Sequence, residues 1–214
     1  MDQSFDPLIA KSSTLLLAGP SKCGKSTLVT ELLLQRAQVF KEPFTRIVWC
    51  YGEWQEGYAE LQTAIPEITF HDGLPKGLYE TFKPTENNLL VIDDSQGEYD
   101  DQIAKYFTRG AHHRSLTIIF IVQNLFFKSK QSRTISLNAS YLFVFKSPRD
   151  AAQISYLGRQ LYPENPRFLT EAFLDCTKKP YTYMLIDLQQ STPDIYRVRS
   201  SILPGEICHV YVPK

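Results

Sequence analysis

The sequence contains Gly19-Pro20-Ser21-Lys22-Cys23-Gly24-Lys25-Ser26, and this stretch decides the fold. It satisfies all four fixed positions of the pattern G-x-x-x-x-G-K-[ST]. An apolar run, Thr14–Ala18, ends directly before it, and a segment with leucines at helical spacing follows from Lys25. The order of strand, glycine-containing loop and helix predicts a loop that binds phosphate groups at the amino end of the helix.

The chemistry of a triphosphate explains the composition of this loop. Glycines let the chain wrap closely, so that successive backbone N–H groups point at the phosphates. Lys25 is predicted to reach the β and γ phosphates, and the Ser26 hydroxyl to complete the coordination shell of Mg²⁺. The alternative is an ordinary glycine turn before a helix, and Cys23 is expected to be a small filler rather than a redox switch. The predicted nucleotide-binding residues are Gly19, Pro20, Ser21, Lys22, Cys23, Gly24, Lys25, Ser26 and Thr27.

A second motif supplies two carboxylates. The apolar run 89–92 ends in Asp93 and Asp94. Asp93 is placed to hold Mg²⁺, usually through a water molecule, and Asp94 is placed to polarise the attacking water. Two aspartates after an apolar run are by themselves more typical of a turn or a helix cap. Because a complete phosphate-loop pattern precedes them, the sequence predicts that both serve the same nucleotide.

Gln123 is the third element of this pattern, and it ends the apolar segment 116–122. In NTPases that insert a strand between the phosphate-loop strand and the carboxylate strand, this position lies beside the γ-phosphate. An amide at that point holds the attacking water or senses hydrolysis. The alternative for Gln123 is an ordinary surface amide.

Two motifs that the sequence lacks narrow the choice of nucleotide and of ATPase class. A GTPase needs a guanine-reading motif of the N-K-x-D type, and the sequence contains none. An ABC subunit would carry an LSGGQ-like signature, which is also missing. ATP with Mg²⁺ is therefore the predicted ligand.

The length of the chain, its apolar runs and its cysteines limit the classes of protein to which it can belong. The chain has 214 residues, which suits one domain with its own core. Its longest apolar run, Leu116–Val122, falls well short of the roughly 20 residues of a membrane-spanning helix, and we see no signal-peptide layout. Cys23, Cys50, Cys176 and Cys208 are scattered without a C-x-x-C pair, which predicts neither a zinc site nor a disulfide framework. We expect a reducing, intracellular setting.

The formal net charge is zero, but the charges are unevenly distributed. Residues 1–101 carry eight basic and sixteen acidic side chains, whereas residues 102–149 carry eight basic side chains and no acidic one. Such a block is compatible with one positive surface that faces a polyanion, either nucleic acid or the nucleotide of a neighbouring subunit. The alternative is a solvated face that lacks acidic residues.

Apolar segments that alternate with helical ones predict an α/β fold with a mostly parallel sheet flanked by helices. We expect residues 1–13 to form an arm and residues 14–214 a single domain, in which 178–214 either completes the sheet or braces a neighbouring subunit. The predicted helices are about four turns from Lys25, then 55–63, 99–109, 149–161 and 165–177. The predicted strands are Thr14–Ala18, Arg46–Tyr51, 68–70, 89–93, 116–123, Tyr141–Phe145, 181–188 and 195–202.

Taken together, GPSKCGKS at 19–26, LLVIDD at 89–94 and TRGAHHRSLTIIFIVQN at 108–124 resemble the FtsK–HerA superfamily of ring ATPases. The more particular likeness is to the short genome-packaging ATPases of large DNA viruses related to poxviruses and of Maverick/Polinton elements. The resemblance covers about residues 14–163 and implies a RecA-like P-loop NTPase of the ASCE type. It also implies a ring, typically of six subunits, that moves double-stranded DNA into a capsid and meets a capsid vertex or portal component. The implied location is the cytoplasm or nucleus of an infected host, or the virion.

The resemblance further assigns an arginine finger, which a neighbouring subunit contributes to each site. Motif position makes Arg109 the first candidate and Arg114 the second, and a planar guanidinium suits the charge that develops on the phosphoryl group. The alternative for Arg109 is a structural salt bridge. His112 and His113 are expected to touch DNA or to position the finger. Many relatives have glutamate where this chain has Asp94, so the shorter carboxylate must lie nearer the water.

Residues 126–133, FFKSKQSR, are the best local candidate for DNA contact. We expect a projecting loop in which Lys128, Lys130 and Arg133 touch phosphates without reading the base sequence. Phe126 and Phe127 are expected in the core, because duplex DNA offers no free base faces.

Two other functions stay open. One is a secretion or assembly ATPase of the filamentous-phage type, although such relatives usually carry a membrane span and none is predicted here. The other is a nucleotide-binding scaffold with little turnover.

Overall fold

A computed structural model describes residues 5–93, 100–126, 130–149 and 152–214, with all their side chains except those of Asp100 and His112. Within these ranges nine strands form a single sheet. The strands are β1 Thr14–Ala18, β2 Arg46–Tyr51, β3 Ile68–Asp72, β4 Asn88–Asp93, β5 Leu116–Val122, β6 Tyr141–Phe145, β7 Tyr183–Asp187, β8 Val198–Arg199 and β9 Val210–Tyr211.

The order of the strands brings the two predicted motifs together. Across the sheet it is β3-β2-β4-β5-β1-β6-β7-β8-β9, with parallel pairing from β3 to β6 and antiparallel pairing beyond. β5 lies between β1 and β4, so that Ile121 pairs with Leu17 on one side and with Asp93 on the other. The predicted fold class, a mostly parallel α/β sheet with a strand between the phosphate-loop strand and the carboxylate strand, is confirmed.

Helices cover both faces of the sheet. Leu15 on β1 packs with the apolar side of the first helix, while Leu16 points to the opposite face, where the last two helices pack. Among the described residues, no helix has both the length and the apolar character needed to cross a membrane. The helices are α1 Lys25–Leu34, α2 Arg36–Val39, α3 Gly57–Ala64, α4 Leu78–Thr81, α5 Asp100–Lys105, α6 Ala111–His113, α7 Ser132–Leu137, α8 Ala152–Leu161 and α9 Pro166–Cys176, with a π-helix at Tyr106–Gly110 and a 3₁₀ turn at Asp194–Tyr196.

Segments near both ends of the described chain pack against this sheet and its helices. Ile9 is buried and forms an isolated parallel bridge with Phe40. At the other end, β7, β8 and β9 extend the sheet beyond β6. The buried Arg199 on β8 donates to Asp187 on β7 over 2.9 Å, which fixes this antiparallel extension. Whether the same residues also brace a neighbouring subunit stays a prediction.

The first predicted helix is shorter than expected. Instead of four turns from Lys25, α1 ends at Leu34, and the chain turns at Gln35 before α2. Arg36 explains the break, because its guanidinium donates to the Leu33 carbonyl and pairs with Glu67 at 2.8 Å. A basic side chain that satisfies a terminal carbonyl is a common helix C-cap.

The helix predicted over residues 99–109 was partly wrong. Only Asp100–Lys105 is α-helical, and the wider π-helical turn Tyr106–Gly110 follows it. The wide turn buries both Tyr106 and Phe107. Gly110 closes the turn against β5, since a Cβ there would lie 3.2 Å from a Leu116 methyl group.

Four short elements were not predicted, and the C-terminal extended segment was overestimated. α4, α6, α7 and β9 have at most six residues each, too few for a periodic pattern. The predicted strand 195–202 is reduced to Val198–Arg199 after a 3₁₀ turn. Pairing with β7 and β9, rather than local propensity, determines where this strand ends.

Gly158 gives a test of how tightly α8 and α9 pack. A Cβ at this position would lie 2.4 Å from the backbone carbonyl oxygen of Pro166, which cannot rotate away. We therefore expect Gly158→Ala to lower the free energy of unfolding by about 1–3 kcal/mol. Thermal unfolding followed by circular dichroism measures the effect.

Gly57→Ala is the matched control, because no atom lies within 4 Å of a Cβ at Gly57, at the start of α3. This change should leave stability equal or slightly higher, since alanine favours helix more than glycine does. Equal melting temperatures for the two variants would contradict the proposed close contact.

Candidate functional site

The phosphate loop begins where β1 ends and is held against the neighbouring strands. The Gly19 N–H donates to the Val122 carbonyl at the end of β5 over 3.2 Å. A Cβ at Gly19 would lie 2.6 Å from the Cβ of Phe145 and 2.8 Å from the sulfur of Cys23, so only glycine fits there. Burial raises the pKa of the Cys23 thiol, so the sulfur stays protonated near neutral pH.

Two residues of the loop have left-handed backbone conformations. The φ angle is 63° at Lys22 and 99° at Gly24. Such a conformation costs a non-glycine residue roughly 1–2 kcal/mol, so the loop carries strain at Lys22. Successive N–H groups in alternating conformations form an anion-binding concavity. Gly24 is also the N-cap residue of α1 and has no side chain with which to occupy the first N–H groups of the helix.

The Lys25 ammonium is folded back over the loop. Its Nζ donates to the carbonyl of Gly19 over 2.7 Å and to that of Pro20 over 2.8 Å. The side chain is buried. These bonds hold the positive charge where a phosphate oxygen can take the place of the carbonyl oxygens.

Ser26 and Asp93 are in direct contact. The Ser26 hydroxyl donates to Asp93 Oδ2 over 2.8 Å, and the Tyr58 hydroxyl donates to the same oxygen over 3.3 Å. Burial and the nearby Asp93 charge raise the pKa of Tyr58, so Tyr58 remains a hydrogen-bond donor. The two predicted Mg²⁺ ligands, the Ser26 hydroxyl and the Asp93 carboxylate, are therefore oxygen atoms within hydrogen-bond distance of each other. This donor set suits Mg²⁺, which takes one or two protein ligands and completes its shell with phosphate and water.

A cleft of about 300 Å³ opens over the loop. It is bounded by the start of α1, the segment after β2, and the ends of β4 and β5. The structure thus brings Lys25, Ser26, Asp93 and Gln123 together, as the sequence predicted, while their catalytic roles stay predictions. The lining includes Ser21, Lys22, Lys25, Ser26, Gly52, Glu53, Gln55, Tyr58, Asp93 and Gln123.

Sequence reasoning missed four residues that line this cleft, Gly52, Glu53, Gln55 and Tyr58. All four follow β2, which pairs with β4 and so ends beside Asp93. Glu53 is exposed. In the described ranges, Glu53 and Asp93 are the two residues that contribute carboxylates to the lining of the cleft. The available signal was the polar and aromatic sequence YGEWQEGY directly after a buried strand.

Asp94, the predicted water-activating base, and Lys128 lie outside the described residues. Their predicted roles are therefore untested. The end of β4 is described as far as Asp93, which borders the cleft.

Arg109 and Arg114 do not belong to the described lining of their own cleft. Arg109 is exposed on the π-helix and, in the ranges that the structure covers, forms no ion pair. Arg114 donates to the Phe82 carbonyl over 3.2 Å and lies 5.2 Å from the centre of the Tyr79 ring. It precedes β5, whose seven residues place it about 20 Å from Gln123. Neither arginine is positioned for the cleft of its own chain, as a finger for a neighbouring subunit requires.

The segment predicted to contact DNA leaves β5 at the cleft edge of the sheet. Lys130 and Arg133 are exposed there, but Arg133 lies in the first turn of α7 rather than in a loop. The prediction that Phe126 is a core residue was wrong: it is 38% exposed and contacts Tyr156 edge-on, while the adjacent Leu125 fills the core. Phe127 lies outside the described residues.

Two groups of charges can be distinguished among the basic side chains of residues 102–149. Lys105 pairs with Glu80 over 3.0 Å, and Arg114 binds a carbonyl, so these two charges stabilise the fold. The exposed side chains that follow the carboxyl ends of β5 and β6 form what we call the basic edge, which consists of Lys130, Arg133, Lys146 and Arg149.

Comparison with protein-family models finds no match, and neither does comparison with curated protein sequences. The structure is similar to that of the genome packaging NTPase B204 from Sulfolobus turreted icosahedral virus 2, solved in complex with ATP-gammaS. The TM-score is 0.57 and the identity 14%, over 98% of this chain and 99% of that one. It is also similar to EssC (ATPases 2 and 3) from Geobacillus thermodenitrificans, with a TM-score of 0.52 and 13% identity, over 71% of this chain and 35% of that one. The fold is that of RecA-like P-loop ATPases, and the predicted likeness to a genome-packaging ATPase is confirmed at the level of fold.

The Tyr58 hydroxyl offers a test of how Asp93 is held. Tyr58→Phe removes one of the donors to Asp93 Oδ2 and leaves the aromatic packing in place. We expect a roughly 10-fold higher Mg²⁺ concentration for half-maximal ATP hydrolysis, because residues that orient a metal ligand typically contribute about 10- to 100-fold to affinity. A Mg²⁺ titration of the hydrolysis rate measures this.

The control is Tyr51→Phe, which removes a hydroxyl from the same aromatic cluster. Its Mg²⁺ dependence should match that of the unmodified protein. If both variants shifted the Mg²⁺ dependence equally, the effect would belong to the cluster and not to the bond with Asp93.

Proposed function

We propose that this protein is an ATPase that assembles into a ring, translocates double-stranded DNA and packages a viral genome into a capsid. The observation that supports the proposal is the meeting of the phosphate loop, Asp93 and Gln123 in one cleft. The fold it shares with the genome packaging NTPase B204 supports the same reading.

ATP is the proposed substrate and Mg²⁺ the proposed cofactor. Ser26 and Asp93 would hold Mg²⁺, which neutralises charge on the β and γ phosphates when bound. Lys25 then binds the phosphate oxygens with the ammonium that now contacts two carbonyls. Gln123 orients the attacking water. Asp94 accepts its proton, and Glu53 is a further carboxylate in the described lining of the cleft.

Arg109 is the proposed finger from a neighbouring subunit. It is exposed and lies away from the cleft of its own chain, so a head-to-tail ring can present it to the next site. An arginine supplied in this way contributes roughly 10³–10⁵ to the rate of phosphoryl transfer. The ring and its expected six subunits follow from this proposal and from the resemblance.

Mixing inactive variants tests whether the finger acts between subunits. Lys25→Ala and Arg109→Ala should each abolish hydrolysis. When they are unfolded, mixed in equal amounts and reassembled, roughly a quarter of the interfaces should join an intact cleft to an intact finger. Hydrolysis should therefore recover in the mixture.

The matched control is a mixture of Lys25→Ala and Asp93→Ala, whose missing groups belong to the same cleft. No interface in that mixture is complete, so it should remain inactive. A mixture of Lys25→Ala and Arg109→Ala that also stays inactive would show that Arg109 serves its own chain.

Duplex DNA is the proposed polyanionic partner. The basic edge follows β5 and β6 at the end of the sheet where the phosphate loop lies. The short segment after Gln123 links the nucleotide cleft to this edge. A change in the bound nucleotide would therefore move the residues that contact DNA. Such contacts would involve phosphates, which makes binding independent of sequence and sensitive to salt.

ATP hydrolysis with and without duplex DNA tests this function against its alternatives. We expect duplex DNA to raise the hydrolysis rate. The affinity of the unmodified protein for DNA should also fall more steeply with salt concentration than that of Lys130→Ala/Arg133→Ala. Each lost phosphate contact reduces the slope of log affinity against log salt by about 1.

The control for charge alone is Lys11→Ala/Lys83→Ala, which removes two exposed lysines that precede β1 and β4, at the opposite end of the sheet from the basic edge. It should bind DNA like the unmodified protein. Slow turnover without DNA stimulation would support a nucleotide-binding scaffold, and stimulation by lipid or a protein partner would support an assembly ATPase.

A further inference from the structure

A second cavity, of about 430 Å³, borders the phosphate loop. Gly24, Thr27 and Leu28 form one wall, and the opposite wall comes from the residues that precede β7 and follow β8. Lys22 lines both this cavity and the phosphate cleft. A molecule that passes over the loop can therefore occupy both.

Tyr181 dominates the opposite wall. Its side chain is 74% exposed, and its φ angle of 64° is one that non-glycine residues rarely adopt. A Cβ built on Gly24 would lie 3.5 Å from the Tyr181 Cβ, so the tyrosine stands directly against the loop. Strained backbone that presents an exposed aromatic side chain is typical of functional sites.

The rest of this wall is anchored to the sheet. The Tyr183 hydroxyl accepts a hydrogen bond of 3.2 Å from the Ile202 N–H, which ties the segment after β8 to β7. The Tyr183 ring packs 5.5 Å from the ring of Phe143. Leu203, in the segment after β8, and Leu28, on α1, both contribute apolar side chains to the lining of the cavity.

The second cavity offers hydrogen-bond acceptors. It is lined by the carboxylates of Glu31 and Glu206. Glu206 accepts a hydrogen bond from Ser201, and Glu31 accepts one of 3.3 Å from Gln35. Carboxylates repel a phosphate but accept hydrogen bonds from hydroxyl and amino groups.

We infer that this cavity binds the nucleoside end of the triphosphate, with the base against the Tyr181 ring and the sugar hydroxyls toward the carboxylates. An aromatic platform, two apolar side chains and acceptor groups match a base joined to a ribose. The inference rests on the proposed nucleotide function and names the residues that recognise the part of the substrate that does not react.

Calorimetric titration with two probes, ATPγS and inorganic tripolyphosphate, tests it on the full chain with Mg²⁺. Tyr181→Ala should weaken ATPγS binding roughly 5- to 150-fold, which corresponds to the stacking contribution of about 1–3 kcal/mol per base. Its affinity for tripolyphosphate should be unchanged. Tyr181→Phe, which keeps the ring, should bind both probes like the unmodified protein.

Tyr156→Ala is the control, because Tyr156 is also exposed but lies on α8. It should bind both probes normally. Unchanged ATPγS affinity in Tyr181→Ala would place the base elsewhere, and equal losses for both probes would assign Tyr181 to loop support, so either result overturns the inference. A protein that binds no ATPγS overturns it too. If ATPγS binds as expected but ATP is not hydrolysed, only the proposed function fails.

Discussion

The hydrogen bond of 2.8 Å between Ser26 and Asp93 is the contact on which the site depends. It joins the start of α1, which follows β1 through the phosphate loop, to the end of β4. β1 and β4 do not pair with each other, because β5 lies between them. Parallel pairing brings the carboxyl ends of these three strands to one edge of the sheet. The phosphate loop, the Asp93 carboxylate and Gln123 therefore meet at that edge.

The two sides of the phosphate loop offer different binding groups. The Lys25 ammonium and the oxygens of Ser26 and Asp93 line the cleft, while Glu31 and Glu206 line the second cavity. A nucleoside triphosphate has a corresponding asymmetry, with its negative charge at one end and hydrogen-bond donors at the other. The loop, stabilised by Gly19 against Phe145 and Gly24 against Tyr181, separates the two environments.

Much of the fold and part of the site were predictable from sequence, for identifiable physical reasons. Buried parallel strands are continuous apolar runs, and the bounds of β1, β2 and β6 follow from that pattern. The phosphate loop was predictable because its chemistry fixes residue types at fixed spacing.

Other features were beyond local patterns. Tyr58 reaches Asp93 only because β2 pairs with β4, a long-range contact. Tyr181 meets the loop because antiparallel strands extend the sheet past β6. The π-helix at Tyr106–Gly110 differs from an α-helix in its i→i+5 hydrogen bonds, which the residue types of this segment do not indicate.

The structure of the protein crystallised with Mg²⁺ and ATPγS is the most direct measurement of this arrangement. We expect the Lys25 ammonium to leave the Gly19 and Pro20 carbonyls for phosphate oxygens, with Mg²⁺ between the nucleotide, Ser26 and Asp93. A nucleotide bound away from the loop, or one held there with Asp93 remote from the metal, would contradict the central role of this contact.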